Sequence, residues 1–180
     1  LDAFGIDPSG RTCLDVGAST GGFTDVLLAR GAVRVYAVDV GHGQLHARLR
    51  SDPRVVLREG VNARLLSTAE VPEPCSLLVA DVSFISLRLV LPAAVPLLAP
   101  GAEAVLLVKP QFESERGEVG RGGIVRDPEV RARAVARIVA SAEALGLACL
   151  GTVDSPITGA DGNVERLAAF RLGGSRGPSG

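Results

Sequence analysis

Lys109 is the only lysine in this 180-residue sequence; the other eighteen strongly basic side chains are arginine. It directly follows the apolar run at 103–108, at the end of a β-type stretch. An amine kept there suits a task that a permanently charged guanidinium cannot perform, such as losing a proton. Asp81 holds the same place after another apolar run, SLLVA at 76–80. An amine that can lose a proton at a strand end suits acid–base chemistry. The same residues would also fit a buried ion-pair network without chemistry.

A second group reads as a ligand cradle. The segment CLDVGASTGGF, 13–23, is an apolar run that ends in an acid and breaks into glycines. It predicts a buried strand over 12–16 and a turn through Gly17, Ala18, Ser19, Thr20 and Gly21 where backbone approaches a ligand. A helix then opens at Gly22 and Phe23 with its N–H groups facing that ligand. A tight strand-to-helix turn collects glycines for purely structural reasons too. The next run, VRVYAV at 33–38, ends in Asp39, followed by Val40. Asp39 comes 22 positions after Gly17, close to the roughly 20 expected of an acid that holds ribose hydroxyls at a second strand tip. Read alone, it is equally a turn acid before Gly41. A dinucleotide loop would read G-x-G-x-x-G, whereas here Ser19 stands at the middle glycine. Asp15 places a carboxylate at the mouth, which a pyrophosphate would not favour. S-adenosylmethionine carries a sulfonium, an ammonium and a ribose, and acids at Asp15 and Asp39 suit it. Asn62, beyond a brief strand at 55–57, can donate and accept at a purine edge or serve as an ordinary loop asparagine.

These residues need a scaffold that delivers strand ends to one edge. Further runs at 148–153 and 164–172 bring the predicted strands to seven. Between them lie predicted helices at 22–30, at 43–50, and one through Leu91 that Pro92 ends or kinks. Another spans 129–145, with Val130, Ala134, Ile138 and Ala142 on neighbouring turns and Gly146 as its stop. The alternation predicts an α/β fold, a Rossmann-like doubly wound, mostly parallel sheet with its final strand inserted antiparallel. Asp81 then falls where the strand order reverses, which is where such sheets bind ligands. The stretch 112–128, containing GEVGRGGIVRDP, is too glycine-rich for a helix and too long for a tight turn. It predicts a binding loop lined by Arg116, Arg121 and Arg126.

Composition bounds the alternatives. The length predicts one domain, 1–172, ahead of a flexible tail at 173–180. With 47% hydrophobic residues but no apolar stretch of about 18 residues and no visible leader, the expectation is a soluble cytoplasmic protein without a membrane partner. Cys13, Cys75 and Cys149 lie in or beside apolar runs and read as core residues. His42 and His46 are four apart on a predicted helix with no third ligand, so no metal is expected. A net charge of −1 does not advertise a nucleic-acid protein, although arginine is the better fork for phosphate.

The motifs DVGASTGGFTD, VYAVDVGHGQL, VADVSFISL, VKPQFE, GRGGIVRDP and GNVE occur in one order, and together they resemble the TlyA family. The resemblance runs from about residue 13 to 172. Members are FtsJ-like ribosomal RNA 2′-O-methyltransferases of the class I fold, once called hemolysins. The likeness implies methyl transfer from S-adenosylmethionine to a cytidine ribose, with ribosomal RNA or a ribosomal subunit as partner. It also implies a catalytic set of lysine, aspartate, lysine and glutamate, whose last three members match Asp81, Lys109 and Glu165. The first lysine, a small RNA-binding domain and a linker are expected upstream of Leu1, and activity is expected to need them. Two other readings remain open on residues alone: a nicotinamide-dependent oxidoreductase, disfavoured by Ser19, and a noncatalytic membrane-active or binding module.

Overall fold

The short β-branched and apolar runs pair into a single sheet because each is too short to bury itself and long enough to cross a layer. The computed structural model of the chain describes residues 1–115, 117–157, 159 and 162–174. Its strands are β1 (Thr12–Val16), β2 (Arg34–Val38), β3 (Val55–Arg58), β4 (Cys75–Ala80), β5 (Leu98–Val108), β6 (Leu147–Asp154) and β7 (Arg166–Leu172). They lie in the order β3-β2-β1-β4-β5-β7-β6. The first five pair in parallel, and β7 enters antiparallel between β5 and β6. The order reverses between β1 and β4, so the crevice at their carboxyl ends is open for a ligand. Residues 175–180, most of the expected tail, lie outside the described residues.

Helices cover both faces: α1 (Gly22–Ala29), α2 (Ala47–Arg50), α3 (Leu87–Ala94), α4 (Pro110–Glu113) and α5 (Pro128–Ala144). Side chains alternate along every strand, which divides the core into two layers. Leu14, Val16, Leu78, Ala80, Leu106 and Phe170 pack with α3 and α5. Cys13, Leu77, Val79 and Val105 pack with Leu27 and Leu28 of α1 and with Leu45 and Leu49. The longest helix, α5, starts on Pro128 behind an Asp127 cap that accepts from Glu129 N at 2.8 Å, and Gly146 ends it at φ +87.

Three expectations change. The helix expected over 43–50 is only the turn at α2, because Gly41 and Gly43 (φ +67) keep the chain irregular up to His46. His46 is therefore the helix cap rather than a helical residue, and His42 precedes the helix altogether. Pro92 neither ends nor visibly breaks α3, which runs two residues past it. Its missing N–H would have met the carbonyl of exposed Arg88, while Leu87, Val90, Leu91 and Ala94 hold the opposite face in the core. Finally, 112–128 is not one open loop. It begins inside α4, contains a 3-10 turn at Arg121–Gly123, and is tied down where Glu118 accepts from Arg133 at 2.9 Å and Arg137 at 3.3 Å.

Asp15 is the exception in the central strand. The alternation that buries Cys13 also turns Asp15 toward α1, where it is 0% exposed and accepts from Thr24 Oγ1 at 2.6 Å. Its other oxygen has no hydrogen-bond donor among the described residues. Burial raises its carboxyl from 3.8 to about 7, against the pull of Thr24. The expected carboxylate at the mouth is thus a sealed group that holds its proton well above the usual range. A raised folded-state pKa stabilises the fold fully below the ordinary pKa near 3.8, and that contribution is lost as pH rises to about 7. Asp15→Asn keeps the bond from Thr24 and should remove this dependence. Thermal melts at pH 5 and pH 8 should therefore show the variant gaining on the parent at the higher pH. An equal difference at both would contradict the buried-proton reading.

Candidate active site

Parallel strands end at one edge, and the segments leaving β1, β2, β3 and β4 enclose a cleft of about 910 Å³ there. Gly17 turns out of β1 at φ +84, with its N–H and that of Ala18 donating to Val38 O at 2.8 and 3.1 Å. A Cβ at Gly17 would run into the Asp81 backbone carbonyl, so only glycine lets the β1 and β4 ends close together. Asp39, at the tip of β2, accepts from Ser19 N at 2.8 Å and Gly41 N at 2.7 Å. Two backbone donors thereby fix a carboxylate on the cleft wall, and each oxygen keeps acceptor capacity for a hydroxyl. Ser19 itself sits at φ +49, in the left-handed region. Asn62 reaches the wall from beyond β3, with Oδ1 accepting from Arg64 N at 3.1 Å.

Of the residues expected around a cofactor, Gly17, Ser19, Asp39, Val40, Asn62 and Asp81 line this cleft. Ala18, Thr20, Gly21, Gly22 and Phe23 do not reach its wall, and Asp15 lies sealed behind it. Ala18 is buried, Thr20 gives its carbonyl to His46 N at 3.1 Å, and Gly21 (φ +106) packs on Leu45 and Leu49. These residues build the loop that the others use.

A second cavity of about 350 Å³ opens beside the first, with Lys109, Glu165 and Asn163 on its walls. Both cavities share Ser83, Phe84, Gln111 and Phe112, so they meet at one partition. The three expected catalytic residues stand around it. Lys109 Nζ is 2.5 Å from Asp81 Oδ1 and donates to Ser83 Oγ at 2.9 Å, and its side chain is 13% exposed. The contact with Asp81 is off the hydrogen-bond axis, leaving Oδ1 without an aligned donor. Glu165 is 6% exposed, just before β7. Burial raises its carboxyl above the usual range, with Lys109 pulling it down and Asp81 pushing it up. An amine among two carboxylates and a hydroxyl, in a half-closed pocket, can hold and move a proton.

The partition is also the part of the site that residue types did not disclose. Phe84 is 92% exposed at φ +63, a conformation that a bulky side chain avoids. Its ring lies 5.2 Å from that of Phe112, tilted by 51°. Their place directly beside the strand-end residues Asp81 and Lys109 was the available signal. Asn163 is similar: it is buried, with Oδ1 accepting from Val125 N and Nδ2 donating to Gly123 O, each at 3.0 Å. It thereby pins the 120–125 segment over the second cavity.

Arg121 lies on that segment and Arg126 directly after it, both on the wall of neither cavity, and Arg116 lies outside the described residues. Among the described residues Arg64, Arg88, Arg121 and Arg126 make no ion pair or side-chain hydrogen bond. All four are exposed on segments leaving β3, β4 and β5, at the cavity edge of the sheet. Elsewhere arginines are used internally, as where buried Glu103 accepts from Arg11 at 2.7 Å and Arg171 at 2.8 Å.

The FtsJ-like methyltransferase family matches residues 1–172. The chain is 54% identical over 171 residues to the 16S/23S rRNA (cytidine-2′-O)-methyltransferase TlyA of Mycobacterium tuberculosis, covering 95% of this chain but 64% of that relative. It is 46% identical to Hemolysin A of Brachyspira hyodysenteriae, covering 93% of this chain and 70% of the other. A crystal structure from Lactococcus lactis that carries a hemolysin name superposes with a TM-score of 0.92 at 45% identity, over 95% of this chain and 82% of that one. No helix among the described residues is long and apolar enough to cross a membrane. Over residues 1–172 the chain belongs to the FtsJ-like methyltransferase family, and within it with the TlyA proteins.

Proposed function

We propose that the chain transfers a methyl group from S-adenosylmethionine to the ribose 2′-hydroxyl of a cytidine in ribosomal RNA, acting in the cytoplasm on RNA or a ribosomal subunit. The observation that carries this reading is the shared partition: a cofactor-sized cleft and a smaller pocket meet where Asp81, Lys109 and Glu165 converge. The M. tuberculosis relative bears this activity in its name, and the chain spans 64% of its length. A nicotinamide cofactor finds no support in the family.

The donor set of the first cleft fits the cofactor: a fixed carboxylate at Asp39 for ribose hydroxyls, a glycine turn at Gly17 for close approach, and Asn62 for a purine edge. When bound, it supplies an electrophilic methyl on a sulfonium. The chain's own residues do the rest. A ribose hydroxyl is a poor nucleophile at neutral pH, so it must be aligned and relieved of its proton. Lys109 Nζ, steered by Asp81 and Ser83, meets the hydroxyl: as a free amine it accepts the departing proton, and as an ammonium it offsets the charge building on the oxygen while Glu165 accepts that proton. Glu165 holds the hydroxyl from the other side of the pocket. Phe84 offers an exposed ring face to a base, and Arg64, Arg88, Arg121 and Arg126 offer free cations to phosphates.

Two measurements check this. Asp39→Ala should weaken S-adenosylmethionine binding by about 1.5–3 kcal/mol, the scale of hydrogen bonds to a charged group. Calorimetry with the parent should show that cofactor binding and NAD not binding. Parental affinity in the variant would remove the ribose assignment. The second test is Lys109→Arg, because the planar fork fits poorly between Asp81 and Ser83 and cannot give up its charge. Single-turnover transfer of labelled methyl to ribosomal RNA should fall by roughly 10²-fold or more, with cofactor affinity within a few-fold. It is measured for this chain and for this chain behind a TlyA amino-terminal RNA-binding domain. Near-parental turnover would reduce Lys109 to a positive charge, and no transfer by the parent in either form would refute the proposal.

A further inference from the structure

The segments that follow β4 and β5 are joined by contacts that run outward from the catalytic pair. Asp81 meets Lys109 at 2.5 Å, Ser83 accepts from Lys109 at 2.9 Å, and the Phe84 and Phe112 rings lie 5.2 Å apart. The outermost contact differs in kind. Glu113, the last residue of α4, is 5% exposed. Ser86 Oγ donates to its Oε2 at 2.5 Å and Leu87 N donates to its Oε1 at 2.8 Å. Ser86 is the cap of α3, where its Oγ also accepts from Arg88 N at 3.2 Å. One buried carboxylate thus closes the start of α3 onto the end of α4, while its own backbone carbonyl accepts from Arg137 of α5 at 3.3 Å.

Glu113 lies on the wall of neither cavity, so any effect it has on the site runs through the residues it holds. Burial pushes its carboxyl up, opposed by Ser86, Leu87 N–H and Arg88. A charge-capable side chain in such a place is a poor choice for stability alone, since a well-packed apolar residue usually serves better there. What the bonds do hold is the 83–86 turn, which contains the strained φ of Phe84 and the hydroxyl that receives Lys109. A strained residue persists only where its surroundings over-determine it.

We propose that Glu113 is a positioning residue of the methyl-transfer site: its carboxylate clasps the start of α3 to α4 and thereby holds Ser83 and Phe84 against Lys109 and Phe112. The effect on turnover rests on the proposed function; the clasp itself does not. Lys109 is the only lysine, so labelling lysine with ¹⁵N at Nζ gives one side-chain signal that reports the geometry without catalysis.

The experiment compares the parent, Glu113→Ala, Glu113→Gln and Ser86→Ala by hydrogen exchange at Nζ, by cofactor calorimetry and by methyl transfer to ribosomal RNA. Glutamine keeps an acceptor for Leu87 N and a donor for Ser86 Oγ, so its Nζ signal should stay parental. Glu113→Ala should speed Nζ exchange by about tenfold, the scale of one lost hydrogen bond, and Ser86→Ala should speed it less. Turnover of Glu113→Ala should fall roughly tenfold or more at saturating RNA, with the cofactor Kd unchanged and glutamine restoring the rate. Parental Nζ exchange in both Glu113→Ala and Ser86→Ala would overturn the clasp. If Glu113→Ala does not fold, Ser86→Ala against Glu113→Gln decides by the same signal. Parental folding and exchange effects with no methyl transfer by the parent would fail the proposed function and leave the clasp standing.

Discussion

Lys109 can reach Asp81 only because β4 and β5 are parallel neighbours whose last four pairs share one register, from Leu77 opposite Glu103 to Ala80 opposite Leu106. That pairing puts two strand ends side by side, and every other part of the site depends on it. The cleft on one side uses the Asp81 backbone as its floor, pressed against Gly17. The pocket on the other side has Lys109 and Glu165 as walls. The ion pair is half-shielded, with Asp81 36% and Lys109 13% exposed in their side chains, so water screens it only in part. A pair of this kind is more useful for holding an amine in place than for stabilising the fold.

Much of the architecture was legible in the sequence because period-2 and period-3.6 patterns report burial, and burial dominates this sheet. The seven strands, the antiparallel insertion of β7 and the span of α5 all appear close to where the apolar runs put them. What failed was local. Two glycines outweighed the helical pattern of 43–50, and tertiary packing outweighed the proline in α3. Asp15 misled for a related reason: a strand's last acid looks like a mouth residue until α1 closes over it.

The site divides in the same way. Lys109 stood out as the only amine and Asp39 by its spacing from Gly17, and the structure places both on cavity walls. Phe84, Asn163 and Glu113 did not stand out, because their roles come from a positive φ, a pair of loop bonds and a long-range clasp. Charge followed this rule as well. A net charge of −1 says little about nucleic acid: among the described residues most arginines pair with the chain's own carboxylates, while Arg64, Arg88, Arg121 and Arg126, which do not, collect at the cavity edge.

In the proposed reaction the two cavities are the two halves of one transfer site, joined at the partition beside Lys109. A crystal structure of the chain with S-adenosylmethionine tests it most directly. The sulfonium methyl should point through the gap among Ser83, Phe84 and Gln111 into the pocket of Lys109 and Glu165. A cofactor bound in the first cleft with its methyl turned away from that pocket, or bound elsewhere, would contradict it.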